Sequence, residues 1–261
     1  MPGREEWLHR TQYAKPAALR ARTGLHERFS VNREGYLSWL AKLVAAEAGS
    51  QILEIGCGTG SLWELLWPRL SHVDHLVVSD ISPIMVHQTL GRLGGPGVHG
   101  CLADGDALPC RSTSFDTVVG SHVVYHLAQP DRAVADIARV LRAPGVFIAA
   151  TVGALHLTEL RELTGHFFPQ VTAWNPADVF GLENAPSVLG AHFADVSVHR
   201  YPDALRVTDA DAILQYALSW LPPEDQHHES AQELHDAAQL IIDECGSLEV
   251  QKDFGVLVAR L

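Results

Sequence analysis

The sequence lacks the features that mark membrane-spanning and secreted proteins. No apolar run approaches the roughly 18 residues that a transmembrane helix needs. The opening residues, MPGREEWLHR, contain no apolar segment of the kind found in secretory signals. We therefore expect a protein of the cytoplasm that has no membrane partner.

Positive charge is also scarce. Only three lysines occur, and 19 Lys and Arg residues stand against 31 Asp and Glu residues, which gives a formal net charge of -12. A strongly acidic protein repels phosphate backbones, so nucleic acid is not the expected partner. The four cysteines show no CxxC spacing, and we expect no metal site and reduced thiols.

Hydrophobic residues make up 47% of the chain, which is typical of a globular protein. From residue 51 to residue 152, short apolar segments alternate with helical patterns, which predicts right-handed βαβ units and a parallel sheet with helices on both faces. The predicted strands are 51–55, 75–79, 98–102, 115–120 and 146–152, followed later by 196–200 and 254–259.

Helical patterns flank this alternating region. One runs from residue 5 to residue 22 and is expected to end at Thr23-Gly24. Another follows Thr208, which with Asp211 makes a variant capping box. Residues 153–193 read as helices rich in aromatic side chains and histidine.

A glycine-rich turn, LEIGCGTG (53–60), follows the first predicted strand. In an open parallel sheet, ligands bind beyond the carboxyl ends of the strands, and glycine lets the backbone approach a ligand closely. Ser61 stands where a dinucleotide fingerprint has glycine or alanine. The turn alone leaves open both a nicotinamide dehydrogenase and a protein that binds another nucleoside.

Two acidic positions follow the next strands. Asp80 ends the second strand and could accept hydrogen bonds from both ribose hydroxyls of a bound nucleoside. This feature is shared by dehydrogenases and by proteins that bind other nucleosides, so it does not distinguish them. The Asp104-Gly105 loop after the third strand could bind the adenine amino group and face the ring. This second acidic loop, followed by Ser114-Phe115-Asp116, is more particular than the glycine turn and argues against a dehydrogenase.

The set LEIGCGTG, VVSDISPIM, DGDALP, SFDTVV, YHL and ARVLRAPG resembles the class I S-adenosylmethionine-dependent methyltransferases. It is most similar to the ubiquinone and menaquinone biosynthesis group and its small-molecule relatives. The resemblance covers residues 50–152, and 252–259 more loosely. It implies an α/β, Rossmann-like sheet of seven strands in the order 3-2-1-4-5-7-6, with strand 7 antiparallel. Ala143-Pro144-Gly145 replaces the usual proline-glycine-glycine, which we expect to alter only a turn.

The resemblance also implies S-adenosyl-L-methionine as cofactor and a role for each matching position. The glycine turn would face the methionine part, Asp80 the ribose, and the Asp104 loop the adenine. Tyr13, in the N-terminal segment, is a candidate lid contact. The implied cofactor-binding residues are Glu54, Gly56, Cys57, Gly58, Gly60, Asp80, Ile81, Asp104, Gly105, Ser121 and Tyr13.

Three side chains beside the end of the fourth strand are candidates for catalysis. His122, Tyr125 and His126 could act as acid or base or bind substrate, and a base is needed only where the methyl acceptor must lose a proton. The alternatives are that His126 is a turn residue bonded to backbone, that Tyr125 forms a wall, and that His122 serves packing.

The resemblance implies four parts: N-terminal helices (1–48), a cofactor-binding core (49–152), a helical cap over the acceptor pocket (153–193) and a C-terminal part of the sheet (194–261). The candidates for substrate binding are His156, His166, Trp174 and Phe180, with the alternative that they form the core of the cap.

The resemblance therefore implies a methyltransferase acting on an O, N or C atom of a small molecule in bacterial specialised metabolism, as a monomer or a homodimer. Two alternatives stay open. One is an enzyme of this fold that uses the same cofactor for cyclisation or rearrangement, and the other is a non-catalytic module that binds the cofactor.

Overall fold

The protein is described from a computed structural model, which covers residues 16–172, 174–222 and 229–261. Seven strands form one sheet. They are β1 (Gln51–Ile55), β2 (His75–Asp80), β3 (Val98–Leu102), β4 (Phe115–Ser121), β5 (Leu141–Val152), β6 (Asp195–Val207) and β7 (Leu248–Arg260).

The strand order in the sheet is β3-β2-β1-β4-β5-β7-β6. The first five strands pair in parallel, and β7 pairs antiparallel with β5. This arrangement confirms the topology that the sequence resemblance implies.

Ten α-helices lie in the described part of the chain. None of them combines the length and the apolar composition that crossing a bilayer requires. The helices are α1 (Pro16–Phe29), α2 (Tyr36–Glu47), α3 (Ser61–Leu66), α4 (Pro83–Leu93), α5 (Pro130–Val140), α6 (Thr158–Phe167), α7 (Pro176–Phe180), α8 (Ala185–Gly190), α9 (Ala210–Leu218) and α10 (Ser230–Cys245).

The chain folds as two compact units. The first, called here the sheet unit, comprises Tyr36–Ala154, Pro176–Tyr201 and Phe254–Leu261. The second, called here the helical unit, comprises the described parts of Met1–Gly35, Leu155–Asn175 and Pro202–Asp253.

The core of the sheet unit forms where helices α2 and α3 pack on the central strands. Leu40 of α2, Ile52 of β1 and Trp63 of α3 have no exposed surface and belong to one apolar cluster. Such burial is the main favourable term in folding. It also fixes the glycine turn, which connects β1 to α3.

The helical unit has its own apolar core, and this core corrects one prediction. Helix α1 does not end at Thr23-Gly24 but continues to Phe29. Leu25 and Phe29 are buried in the unit's apolar cluster with residues of α6, α9 and α10. Their burial outweighs the roughly 1 kcal/mol that a glycine costs inside a helix.

Further boundaries differ from the sequence-based expectation. Strand β6 continues to Val207 rather than ending at residue 200, and β7 begins at Leu248 rather than at residue 254. The N-cap of α9 is Asp209 rather than Thr208, and its carboxylate accepts hydrogen bonds from the N–H groups of Asp211 and Ala212. Strand β5 begins at Leu141, because the pairing with β4 steps from Phe115↔Leu141 to Thr117↔Val146 and leaves residues 142–145 as an irregularity.

The SFD motif anchors the entry to the first strand. The Gln51 N–H donates to Oδ2 of Asp116 at 2.9 Å, and the Gly49 N–H donates to Oγ1 of Thr117 at 3.0 Å. These bonds satisfy backbone groups between α2 and β1 and so position β1 at its start.

Candidate active site at the carboxyl ends of the strands

The parallel strands bring the main candidate positions to one edge of the sheet. Ile55, the last residue of β1, lies opposite Ser79 of β2 and Gly120 of β4. Asp80 lies opposite Leu102, the last residue of β3. The glycine turn, Asp80 and Ser121 therefore follow neighbouring strand ends, as the sequence predicts.

The three glycines of the turn all have positive φ (+70° at Gly56, +52° at Gly58 and +76° at Gly60), but the space around them differs. A Cβ atom at Gly56 would lie 2.6 Å from Cγ2 of Val123, and one at Gly60 would lie 2.8 Å from Thr89. At Gly58 no heavy atom lies within 4 Å of that position. Gly58 is thus the point of the turn at which a ligand can approach the backbone.

Asp80 holds the turn from the end of β2. Its Oδ2 accepts a hydrogen bond from the Gly58 N–H at 3.0 Å, and its Oδ1 accepts one from the Ser82 N–H at 2.9 Å. An ionised carboxylate offers about four lone-pair positions. Lone pairs of Asp80 therefore remain for hydroxyl donors such as those of a ribose.

Glu54 is the last residue but one of β1 and is 2% exposed. Its Oε2 accepts a hydrogen bond from Nε1 of Trp63 at 2.5 Å. The pKa of Glu54 is raised to about 8, chiefly by burial; the Trp63 bond lowers this pKa and the nearby Asp80 charge raises it. The structure thus places the carboxyl group against Trp63 of α3, and a contact with the methionine part stays a prediction.

Cys57 is a buried residue of the turn. Its N–H donates to the Ser79 carbonyl at 2.9 Å, and its carbonyl accepts from the Gly60 N–H at 3.0 Å. Burial raises the pKa of its thiol to about 12, with the Glu54 charge contributing. Its part in the site is therefore to shape the backbone rather than to supply a thiolate.

Exposed apolar side chains flank Asp80 on the side where the adenine is expected. Ile81 is 49% exposed and Leu102 is 62% exposed. The Asp104 side chain is exposed as well, and its Oδ1 accepts from the Asp106 N–H at 3.0 Å. Apolar surface beside an open carboxylate fits a ring that carries an amino group.

The sequence reasoning gave no role to Asp106, although the DGDALP motif contains it. Its carboxylate accepts hydrogen bonds from the N–H groups of Ala128, at 2.8 Å, and Gln129, at 3.1 Å. Gly105 is buried, and a Cβ there would lie 2.8 Å from Cδ2 of Leu127. Asp106 and Gly105 thus join the loop after β3 to the loop after β4.

His122 occupies a constrained position just after β4. Its φ is +54°, which is uncommon outside glycine, and its N–H donates to the Ala150 carbonyl at 2.9 Å. Its Nε2 lies 3.0 Å from the Tyr36 hydroxyl. Burial raises the pKa of Tyr36, and Tyr201 raises it further, so the phenol keeps its proton and can donate to Nε2.

Aromatic rings surround His122 within the sheet unit. The ring centroid of Phe254 lies 5.1 Å from that of His122 and 4.9 Å from that of Tyr36. Tyr201 packs on Tyr36 at 5.5 Å and on Trp39 at 5.2 Å. The sequence reasoning missed Tyr36, Tyr201 and Phe254, because they come from distant segments that no local pattern connects.

Tyr125 and His126 lie in a 3₁₀ turn, Val124–His126, that follows β4. Their ring centroids are 4.6 Å apart, and the Tyr125 ring lies 6.2 Å from that of His122. The His126 N–H donates to the Val123 carbonyl at 2.8 Å. Ser121, opposite Ala150 of β5, completes this group of candidates.

The four candidates for substrate binding do not all lie in one unit. Phe180 is fully buried in the sheet unit, and its carbonyl accepts from Oγ1 of Thr151 at 2.5 Å. In the helical unit, His156 stacks on His26 at 5.8 Å, and His166 is exposed at the end of α6. Trp174 also belongs to the helical unit, and Tyr13 lies outside the described residues.

Among the described residues, no group of three or more His, Cys, Asp or Glu side chains is arranged to hold a metal ion. The chemistry available at the strand ends is therefore that of the carboxylates of Asp80 and Asp104 and of the hydrogen-bonded His122. The open position at Gly58, next to Asp80, fits a nucleoside cofactor.

Comparisons with known proteins bear on this site. A family model described as a methyltransferase domain matches residues 53–149. A malonyl-acyl-carrier-protein O-methyltransferase of Paenibacillus sp. is 32% identical over 117 residues, which are 43% of this chain and 42% of that protein. The chain spans less than half the length of the first curated relatives that it matches.

Solved structures of similar fold cover most of the chain. The YcgJ protein of Bacillus subtilis superimposes with a TM-score of 0.58 at 18% identity, over 86% of this chain and 97% of that one. A phosphoethanolamine N-methyltransferase 2 of Haemonchus contortus, solved with phosphomonomethylethanolamine and S-adenosylhomocysteine, gives 0.58 at 17% identity, over 100% of this chain and 60% of that one. At these identities the likeness shows the fold.

The matched region, residues 53–149, contains the glycine turn, Asp80, the Asp104 loop and the end of β4. The strand order agrees with the same family. The chain therefore carries a methyltransferase domain over residues 53–149, in a sheet with the strand order that the resemblance to the class I S-adenosylmethionine-dependent methyltransferases implies.

Proposed function

We propose that the whole chain is an enzyme that transfers a methyl group from S-adenosylmethionine to a small molecule. The observation that carries the proposal is the arrangement at the strand ends, where an open glycine, Gly58, is hydrogen-bonded to Asp80. His122 follows the neighbouring strand β4. A cofactor site and a candidate base thus lie at the same edge of one sheet.

The cofactor would be held along this edge. Asp80 would accept hydrogen bonds from the ribose hydroxyls, and Ile81 and Leu102 would cover the adenine, whose amino group would reach Asp104. Glu54 and the residues around Gly58 and Ser121 would lie toward the methionine part. When bound, S-adenosylmethionine supplies a sulfonium methyl that is activated for in-line displacement.

The protein's own part in the reaction is to position the acceptor, exclude water and, where needed, take a proton. His122 would take that proton at Nε2 by way of the Tyr36 hydroxyl, which would give its own proton to Nε2 as its oxygen accepts the proton of the acceptor. Acceptors such as phenols, alcohols and carbon acids must lose a proton during methylation, whereas a neutral amine need not. The pair of His122 and Tyr36 therefore favours an acceptor of the first kind.

The acceptor class is proposed from the rings around His122. Tyr36 and Phe254 offer apolar faces next to the imidazole, which suits an aromatic or apolar molecule. The O-methyltransferase name of the Paenibacillus relative supports oxygen as the methylated atom. The sequence-based assignment of His156, His166 and Trp174 as acceptor-binding residues stays a prediction.

The proposal is tested by measuring S-adenosylhomocysteine formed from S-adenosylmethionine in the presence of a panel of phenols, carboxylic acids and amines. Acceptor-dependent product is expected for the wild-type protein and for Asp74→Ala, which alters an exposed carboxylate just before β2, at the opposite end of that strand from Asp80. Asp80→Ala should abolish it. Product formed without methylation of any acceptor would instead favour a different reaction of the same cofactor.

A further inference from the structure

A pair of histidines lies at the end of the sheet opposite the candidate active site. His75 is the first residue of β2, and His99 is the second residue of β3. The strands run in parallel, and His99 lies opposite Val77, so the two histidines are diagonal neighbours across the strand pair. Asp80 ends the same strand β2, and the pair is therefore remote from the glycine turn along the strand direction.

The two rings face each other through one nitrogen each. Nδ1 of His75 and Nε2 of His99 are 3.2 Å apart, and the ring centroids are 5.3 Å apart. Two imidazole nitrogens that each lie about 2.0–2.1 Å from one Zn²⁺ ion in tetrahedral geometry are about 3.3 Å from each other. The distance between Nδ1 of His75 and Nε2 of His99 is therefore close to the distance expected between two nitrogens bound to the same Zn²⁺ ion.

The surroundings of the pair allow an ion to enter. Both histidines are exposed, and β3 is the edge strand of the sheet, so coordination positions beyond the two nitrogens are open to water. The chain carries a formal net charge of -12, which favours the approach of cations. Imidazole nitrogen suits Zn²⁺, Ni²⁺ and Cu²⁺ and not Mg²⁺, which prefers oxygen ligands.

We propose that His75 and His99 form a two-histidine binding site for a divalent transition-metal ion such as Zn²⁺, which bridges the edge strand β3 to β2. The ion replaces the single hydrogen bond with two metal–nitrogen bonds, and water completes its coordination. An ion held in this way stabilises the folded chain, because it binds the folded state in preference to the unfolded one.

The test is calorimetric titration of the untagged protein with ZnCl₂ and separately with MgCl₂. Zn²⁺ should bind with one more site in the wild type than in His75→Ala or His99→Ala, and Mg²⁺ should not bind there. His192→Ala is the matched control, since His192 is an exposed histidine of the sheet unit outside the pair.

Thermal unfolding gives a second readout. Saturating Zn²⁺ should raise the melting temperature of the wild type and of His192→Ala by more than that of either pair variant. Equal Zn²⁺ binding and equal melting shifts in all four proteins would overturn the proposal. Cofactor affinity should be the same in all four, so that failure of this site and failure of the proposed methyl transfer are distinguishable.

Discussion

Among single residues, Glu54 links the candidate site most directly to stability. Its pKa in the folded protein is raised from the ordinary value of 4.5 to about 8, chiefly by burial. Between these two values the folded protein holds a proton that the unfolded chain has released. The free energy of unfolding should therefore fall as the pH rises from 5 to 8.

The variant Glu54→Gln tests this dependence. Gln can still accept the hydrogen bond from Trp63 but does not titrate. Urea unfolding at pH 5, 6, 7 and 8 should show a smaller loss of stability with rising pH in the variant than in the wild type. Parallel curves for the two proteins would mean that the buried carboxyl group does not carry the effect.

Tyr36 is the second residue whose substitution should have a specific effect, in this case on the reaction rate. If its hydroxyl relays the acceptor's proton to His122, Tyr36→Phe should lower kcat several-fold and shift the pH–rate profile, with a smaller effect on the KM for the cofactor. His122→Asn should lower kcat further. Both variants keep the bulk of the side chain they replace.

Tyr201→Phe serves as the control for Tyr36→Phe. It alters a neighbouring phenol whose ring packs on Tyr36 but leaves the contact between Tyr36 and His122 in place. Unchanged kcat and pH profiles in Tyr36→Phe and His122→Asn would contradict a role for the pair in proton transfer.

At the scale of elements, the turn between β1 and α3 can be tested by two matched glycines. Gly58 and Gly246 both have positive φ, +52° and +82°, and neither has a heavy atom within 4 Å of a Cβ position. Alanine at either should cost about 1–2 kcal/mol of stability through backbone strain. Only Gly58→Ala should also weaken cofactor binding.

Denaturation curves and calorimetry on the two variants separate strain from binding. Equal cofactor affinity in Gly58→Ala and Gly246→Ala would show that the ligand does not approach the turn at Gly58.

Within the helical unit, strands β6 and β7 are joined by a buried ion pair. Nζ of Lys252 lies 2.6 Å from Oδ2 of Asp203, and the side chains are 2% and 0% exposed. Lys252 also donates to Oγ of Ser30, and Ser30 to Asp203. Lys252→Met leaves a buried carboxylate without its cation and should cost about 3–5 kcal/mol.

The exposed pair Arg206–Glu249 joins the same two strands and provides the comparison. Arg206→Met should change the stability little, because solvent screens the pair. Similar unfolding midpoints for Lys252→Met and Arg206→Met would contradict a special role for the buried pair.

Local sequence patterns predicted the helices and strands around the proposed cofactor site more accurately than the other helices and strands. The glycine turn and the alternation of strands are short-range signals, and the structure has the first four strands within one residue of the predicted bounds. The predicted end of α1 was wrong because the burial of Leu25 and Phe29, which is a tertiary effect, extends the helix to Phe29. The N-cap of α9 was wrong by one residue, since Thr208 and Asp209 are both favourable caps.

The contacts that surround His122 had no sequence signal. Tyr36 lies 86 residues before it, and Tyr201 and Phe254 lie far beyond it. The pairing of His75 with His99 likewise depends on the register of two strands. Such contacts follow from the sheet topology together with exact register, which periodicity alone does not give.

At the scale of the whole molecule, the account depends on one nucleoside lying across the carboxyl ends of β1, β2 and β3. The methyltransferase family model matches residues 53–149, and the remaining described segments supply most of the helical unit and part of the rings near His122. Cofactor binding is therefore the property on which every proposal about the acceptor rests.

The most direct test is calorimetric titration of the protein with S-adenosylmethionine. The wild type and Asp74→Ala should bind one molecule per chain, and Asp80→Ala should bind at least about tenfold more weakly, because it removes charge-assisted hydrogen bonds worth about 1.5–3 kcal/mol. Absence of binding to the folded wild-type protein, or equal affinity in Asp80→Ala, would contradict the account.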